Sequence, residues 1–329
     1  MNNRRKLVIG LGVSALAWTG TVLGQSKTPP VVIGWFSTGS RTTSPRIRQA
    51  FKEGMVALGW KEGSNYRLEE HWADGRVELL PGLAGELAAK RPTLIVASSG
   101  DATIAAAQVA PKIPIVQANG SSPVDAGLAK SLARPGGMVT GISSLSGALD
   151  AKHLELLLAV APKLRRVGFL VDRGTSRYVE GMKNARSAAE HYRLEARFAG
   201  VSKAEEIEPA IALLAKEGVE GLDVLSSAGL FNIERKRIVT LALAQRWPVI
   251  GRGGGWVRTG ALLSYSADIF VLYRRAAYFV DRILKGAKPG DLPIEQPSRL
   301  VLVVNLKTAK ALGLTFPRWT LLHADTVIE

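Results

Sequence analysis

The chain has no cysteine among its 329 residues. Disulfides are therefore excluded, and so is lipid attachment through an N-terminal cysteine. A domain of this kind must be held by its core alone, which this length allows. Histidine is scarce too: His71, His153, His191 and His323 stand far apart and show no metal-ligand spacing. Without thiols, no transition-metal site is expected. Catalytic signatures are missing as well, with no Gly-x-Ser-x-Gly elbow, no His-Glu-x-x-His and no Gly-Lys-Ser/Thr phosphate loop. Asp74, Asp101, Asp125 and Asp172 are carboxylates without a readable pairing. Neither an enzyme nor a cofactor is expected.

One stretch is nearly free of charge. Arg4, Arg5 and Lys6 precede residues 7–24, which are apolar and end in small residues before Gln25. A basic start, an apolar middle and a small residue at the break describe a cleavable secretory signal over residues 1–24. An uncleaved anchor is the bland alternative, since the run is borderline for spanning a bilayer. Its glycines favour cleavage, which leaves no stable membrane anchor. The Arg4-Arg5 pair is compatible with either the general or the twin-arginine route. The expected compartment is a Gram-negative periplasm.

Net charge is +15. Such a balance suits nucleic acid in principle. Here the bases are scattered (Arg165-Arg166, Arg235 to Arg237, Arg274-Arg275), with no aromatic interleaving and no helix-turn-helix pattern. A solvated basic surface is the reading, and no nucleic-acid partner is expected.

What the chain does have is alternation. Apolar strand-like runs at 31–36, 66–71, 94–97 and 113–118 are separated by helical patterns, such as Ile47, Phe51, Met55 and Leu58 closed by Gly59. A second set at 167–171, 194–199, 221–225 and 248–250 alternates with helical stretches at 176–191, 204–216 and 233–245. This order predicts parallel sheets covered on both faces by helices. Small residues at 141–147 suit a hinge, and further crossings fit 265–268 and 293–300. The expected architecture is α/β: two doubly wound parallel-sheet lobes with a hinge and an interlobe cleft. Lobe 1 would comprise residues 25–143 with 266–296, and lobe 2 residues 144–265 with 297–329.

In such folds the loops after strand ends face the ligand. They are rich in hydroxyls and glycines, and they contribute the candidate ligand-binding residues Ser37, Thr38, Ser99, Gly100, Asp101, Asn119, Asp172, Ser227, Arg252, Trp256 and Tyr265. Asp101 and Asp172 suit a ligand ammonium, and Arg252 suits a carboxylate. Their bland alternatives are an N-cap for Asp101, a turn for Asp172 and a solvated side chain for Arg252. The run Gly251-Arg252-Gly253-Gly254-Gly255-Trp256 follows a strand, but Trp256 stands where a dinucleotide loop needs its third glycine. It reads as a close-approach loop without a strong helix after it. Trp256 is the aromatic expected to face a ligand; Trp35, inside a strand, is expected in the core.

Longer strings carry a resemblance. SLARPGGMVTG at 131–141, RRAAYFVDRILKGAKPGDLPIEQP at 274–297 and VNLKTAKALGLTFP at 304–317 resemble the ABC-transporter substrate-binding family typified by tryptophan and tyrosine binders. The resemblance runs from about residue 31 to the closing HADTVIE. It implies a type I periplasmic-binding fold, no catalysis, and delivery of a small-molecule ligand to an ABC permease and its ATPase. Met138, Gly100-Asp101, Ser122 and Gly254-Gly255 depart from residues common in that family. An aromatic ligand therefore does not carry over by resemblance alone. A periplasmic sensor feeding a signalling receptor and the ligand-binding core of a repressor share this architecture; the second needs a DNA-binding headpiece where this chain has an export signal.

Overall fold

In the computed structural model, which describes residues 29–144, 149–225 and 229–329, the first strand forms over the apolar run at 31–36. β1 (Val31–Ser37) is buried from Ile33 onward. Side chains alternate across a strand, so Ile33 and Trp35 enter one core layer while Phe36 enters another. β1 sits inside a parallel sheet with β2 (Tyr66–Trp72), β3 (Leu94–Ala97), β4 (Ile115–Gln117) and β5 (Val139–Gly141), in the order β2-β1-β3-β4-β5. Helix α1 (Pro45–Ala57) covers one face, and α2 (Leu80–Ala89) and α3 (Gly100–Val109) cover the other. Trp35 packs edge-on to Phe51 at 5.4 Å.

The second sheet holds seven strands, in the order β12-β11-β10-β9-β8-β6-β7. They are β6 (Arg166–Asp172), β7 (Glu195–Val201), β8 (Gly221–Val224), β9 (Val249–Gly251), β10 (Leu263–Ala267), β11 (Leu300–Asn305) and β12 (Thr326–Ile328). Helices α4 (Asp150–Val160) and α5 (Tyr178–His191) pack on one face. On the other lie α6 (Ile207–Lys216), α7 (Gly229–Ile233), α8 (Arg235–Ala244) and α9 (Gly254–Thr259).

The chain passes between the sheets more than once. It leaves the first sheet after β5, then leaves β10 for α10 (Ile269–Leu284), which packs against α1 in the first lobe. Gly54 permits that approach, since a Cβ there would lie 2.6 Å from the Arg274 carbonyl. The chain returns through residues 295–299 into β11, followed by α11 (Leu306–Leu312) and α12 (Arg318–His323). The first and last passages are tied together: Glu295 N–H donates to the Gly141 carbonyl at 2.9 Å and Ser143 N–H to the Glu295 carbonyl at 2.8 Å.

One pair departs from the all-parallel expectation. β10 and β11 are antiparallel, with Ala267 opposite Leu300. β10 exits the sheet at the interlobe end and β11 re-enters at that same end, so they must run in opposite senses. The strands at 139–141, 263–267 and 300–305 and the helix at 150–160 have no counterpart in the expected pattern. The proposed signal at 1–24 and residues 145–147 of the expected hinge lie outside the described residues. Among the described residues, no helix is long and apolar enough to cross a membrane.

Candidate functional site

The carboxyl ends of β3, β4, β6, β8 and β9 converge on a cavity of about 860 Å³ walled by both lobes. That size lies within the range of ordinary small-molecule sites.

The first lobe contributes the start of α3 and the loop after β4. Ser99 caps α3, its Oγ accepting the Ala102 N–H at 3.2 Å. Asp101 is thus relieved of the N-cap role and is free to reach outward. Beside it, Gly100 and Gly120 meet so closely that a Cβ on Gly120 would lie 2.6 Å from the Gly100 nitrogen. The Gln117 side chain donates to the carbonyls of Ser121 and Ile142. It thereby holds the Asn119 loop against the passage to the second lobe.

The second lobe answers with the loop after β6. Asp172 is only 3% exposed, and its Oδ1 accepts the Gly174 N–H at 2.9 Å. Burial pushes its carboxyl up to about 6, opposed by that hydrogen bond and assisted by the charges of Asp101 and Glu78. Two bonds then cross the cleft: Ser176 N–H donates to Asp101 Oδ1 at 2.8 Å, and Arg177 meets Asp125 at 3.4 Å. Gly75 of the first lobe, at φ +81, also lies against the second, where a Cβ would be 3.0 Å from the Ile233 side chain and 3.2 Å from the Leu230 Cα.

Behind the cavity lies a buried charged cluster. Arg252 Nη2 is 2.5 Å from Asp150 Oδ1 and 3.7 Å from Asp223 Oδ1. Its Nε donates to the Val224 carbonyl at 3.1 Å. Burial opposes the guanidinium's charge, but Asp150 and Asp223 outweigh it and raise its pKa. His153 Nε2–H donates to the Tyr265 carbonyl at 2.7 Å, and its Nδ1 faces Asp223 Oδ2 at 3.7 Å. Asp150, His153 and Asp223 bring ligand-type atoms within 4.8 Å of one another, a constellation invisible in their spacing. The Arg252 guanidinium already supplies the positive charge there, so the cluster suits an internal ion pair better than a metal.

Of the residues singled out by sequence, Ser99, Gly100, Asp101, Asn119, Asp172, Arg252, Trp256 and Tyr265 line the cavity. Ser37 and Thr38 are not part of its lining. Ser37 Oγ accepts the Gly39 N–H and the Ser98 hydroxyl, and the Ser37 and Thr38 carbonyls accept the N–H groups of Ala73 and Gly75. The loop after β1 is thus wired to the loop after β2. Arg252 is neither solvated nor free for a ligand carboxylate, because Asp150 holds it. Trp256 is not on an open loop: it lies in α9, 1% exposed, packed with Ile238, Val249 and Ala261. A side chain at Gly251 would collide with its ring. Ser227 lies outside the described residues. Asp150, His153, Asp223, Arg177, Arg235 and Arg258 escaped the sequence reading as site residues, since nothing local marks residues that converge only through folding.

The family model described as ABC transporter substrate binding protein matches residues 40–328. A curated relative, the tyrosine-binding protein of Clostridioides difficile strain R20291, is 27% identical over 271 residues, covering 82% of this chain and 77% of that protein. Among solved structures, an ABC domain in complex with L-Trp from Streptococcus pneumonia superimposes with a TM-score of 0.84 at 24% identity, over 91% of this chain and 100% of that one. A conserved domain protein from Vibrio cholerae gives 0.83 at 25% identity, over 92% and 100%. A ligand-free, open substrate binding protein with adhesive properties from Clostridium difficile gives 0.63 at 24% identity, over 91% and 99%.

Proposed function

We infer that this chain, which belongs to the ABC transporter substrate binding protein family, captures an amino acid between its lobes and delivers it to a membrane permease with its ATPase. The observation that carries this is a cavity walled by both lobes and bridged by the Asp101–Ser176 bond. A solute held there touches both walls, so its binding favours the closed arrangement over the open one. Asp101 and Asp172 supply the negative wall for an ammonium, with Ser99, Gly100, Asn119 and Tyr265 around it. Leu149, Val171, Leu225 and Phe270 supply apolar surface. The names of the tyrosine-binding relative and the L-Trp complex favour an aromatic amino acid as the ligand. The periplasm is the proposed compartment.

The test is thermal unfolding of the protein with and without L-tyrosine or L-tryptophan. A ligand at a hundred times its Kd stabilises the native state by about 2.7 kcal/mol, an increase of several degrees in Tm. No shift with either, and none with any other free amino acid, would sink the reading.

Asp101→Ala should weaken that ligand by at least about tenfold, because a charge-assisted bond of about 1.5 kcal/mol is lost from the closed state alone. Titration calorimetry measures the affinity, and small-angle scattering reports whether the ligand-free protein opens. Unchanged affinity with unchanged shape would show that Asp101 does not contribute to closure.

A further inference from the structure

Among the described residues, two arginines of the cavity wall have no carboxylate to answer them. Arg235, at the start of α8, donates from Nη1 to Asn232 Oδ1 at 2.6 Å and from Nε to Thr259 Oγ1 at 3.0 Å, both neutral acceptors. Arg258, on α9, also lines the cavity and is more exposed. Among the described residues, neither has an acidic side chain within ion-pair distance. Their guanidiniums stand over two successive glycines: a Cβ on Gly255 would lie 3.1 Å from Arg235 Nη1, and one on Gly254 3.3 Å from Arg258 Nη1. Any side chain at those two positions would intrude on the charges that the glycines leave open. Burial, then the charge of Arg258, lowers Arg235 from the ordinary arginine value, as expected of a cation pair lacking a counter-charge.

We propose that Arg235 and Arg258 form an anion subsite that holds a second, distal acidic group of the bound solute. The proposal rests on the reading of the cavity as a solute site and narrows the solute's class. Asp172 ends β6, and the Gly253–Gly255 loop follows β9; β8 lies between them in the sheet. At ~4.8 Å per strand spacing, the Asp172 strand end and the glycine loop beneath the arginine pair are about 10 Å apart. An amino acid's own ammonium and carboxylate are joined through one carbon and cannot satisfy both. The ligand class is therefore an elongated amine that carries a carboxylate, sulfonate or phosphate at its far end. Guanidinium forks suit all three of these oxyanions.

The wild-type protein is titrated with L-phenylalanine and with 4-carboxy-L-phenylalanine, which differ only in the distal acid. Arg258→Gln and the double variant Arg235→Gln/Arg258→Gln are titrated alongside; the first alters an exposed side chain and keeps the Arg235 contacts intact. The acid should bind wild type at least about tenfold tighter than phenylalanine, and most of that preference should vanish in Arg258→Gln. Equal affinities in wild type, or a preference retained in the double variant, would overturn the subsite. Inorganic phosphate provides an arm independent of the amino-acid reading. It should raise the Tm of wild type more than that of either variant, and an equal rise in all three refutes the proposal. A selective phosphate response without amino-acid binding would defeat the amino-acid reading and leave the subsite standing.

Discussion

Replacing Arg252 with methionine is expected to lower the unfolding free energy by about 3–5 kcal/mol, the cost of leaving buried carboxylates without their cation. Asp150 and Asp223 are 3% and 0% exposed. Both Asp223 oxygens and His153 Nδ1 lack hydrogen-bond partners, so the guanidinium is the main source of compensating charge. A methionine fills the space of the arginine stem while removing the head, which isolates the electrostatic contribution. Urea unfolding measures it. The double variant Asp150→Asn/Arg252→Met should recover part of the loss, because one of the two stranded charges is gone. A loss below about 1 kcal/mol in the single variant would mean that water reaches the cluster and screens it. The consequence reaches function as well. Asp150 opens α4 just after the first passage between lobes, and the Tyr265 carbonyl held by His153 lies just before another. Loosening the cluster should therefore also weaken ligand binding.

Asp172→Asn is expected to stabilise the ligand-free protein at neutral pH and to abolish a pH dependence. The folded carboxyl is held up to about 6, against an unfolded value of 3.8. Below 3.8 both states are protonated and the group contributes nothing. As pH rises, the unfolded chain ionises first, so stability falls between 3.8 and 6 and the full penalty applies above that. Each pH unit of that gap is worth about 1.4 kcal/mol, so the penalty at pH 7 is roughly 3 kcal/mol. The groups that face the carboxyl are the Gly174 N–H, Asp101 and Glu78, and no cation among them relieves it. The asparagine variant should be more stable than wild type at pH 7 by up to that amount and nearly equal to it below pH 4. Denaturant unfolding at several pH values decides this, and parallel curves would refute it. A ligand ammonium would supply the missing charge, so wild-type affinity for an amine should rise between pH 5 and 7 while the variant's stays flat and weak.

Retaining a destabilised carboxylate beside Asp101 makes sense only where something positive arrives. Asp125 of the first lobe, which meets Arg177 of the second, shows how the same wall is treated where it serves as a contact between lobes.

The α/β class was legible in the sequence because buried parallel strands need short apolar runs, and 31–36, 94–97 and 167–171 have them. Ser99, Gly100, Asp101, Asn119 and Asp172 were legible as cavity residues because in such sheets the loop after a strand has one place to go. Ser37 and Thr38 follow a strand as well, yet they are consumed by bonds to the next loop. The strand at 263–267 was concealed by its polar residues Ser264, Tyr265 and Ser266; it forms because β9 and β11 offer it partners on both sides. Trp256 shows the opposite failure. Three glycines before it suggest an open loop, but they let the backbone turn tightly enough to drive the indole inward, Gly253 adopting φ +118 as the residue ahead of α9.

Local pattern, then, determined most of the elements, their alternation, the lack of any thiol, and the set of loops from which a site is built. Those properties depend on neighbours a few residues apart, where hydrophobic period and capping act. Only the tertiary structure decided which of those loops meet, that Arg252 is spent on Asp150, and that, among the described residues, Arg235 and Arg258 are left without a counter-charge. Burial and charge balance are sums over residues up to a hundred positions apart, such as Asp150 and Arg252, and no local window of sequence contains them.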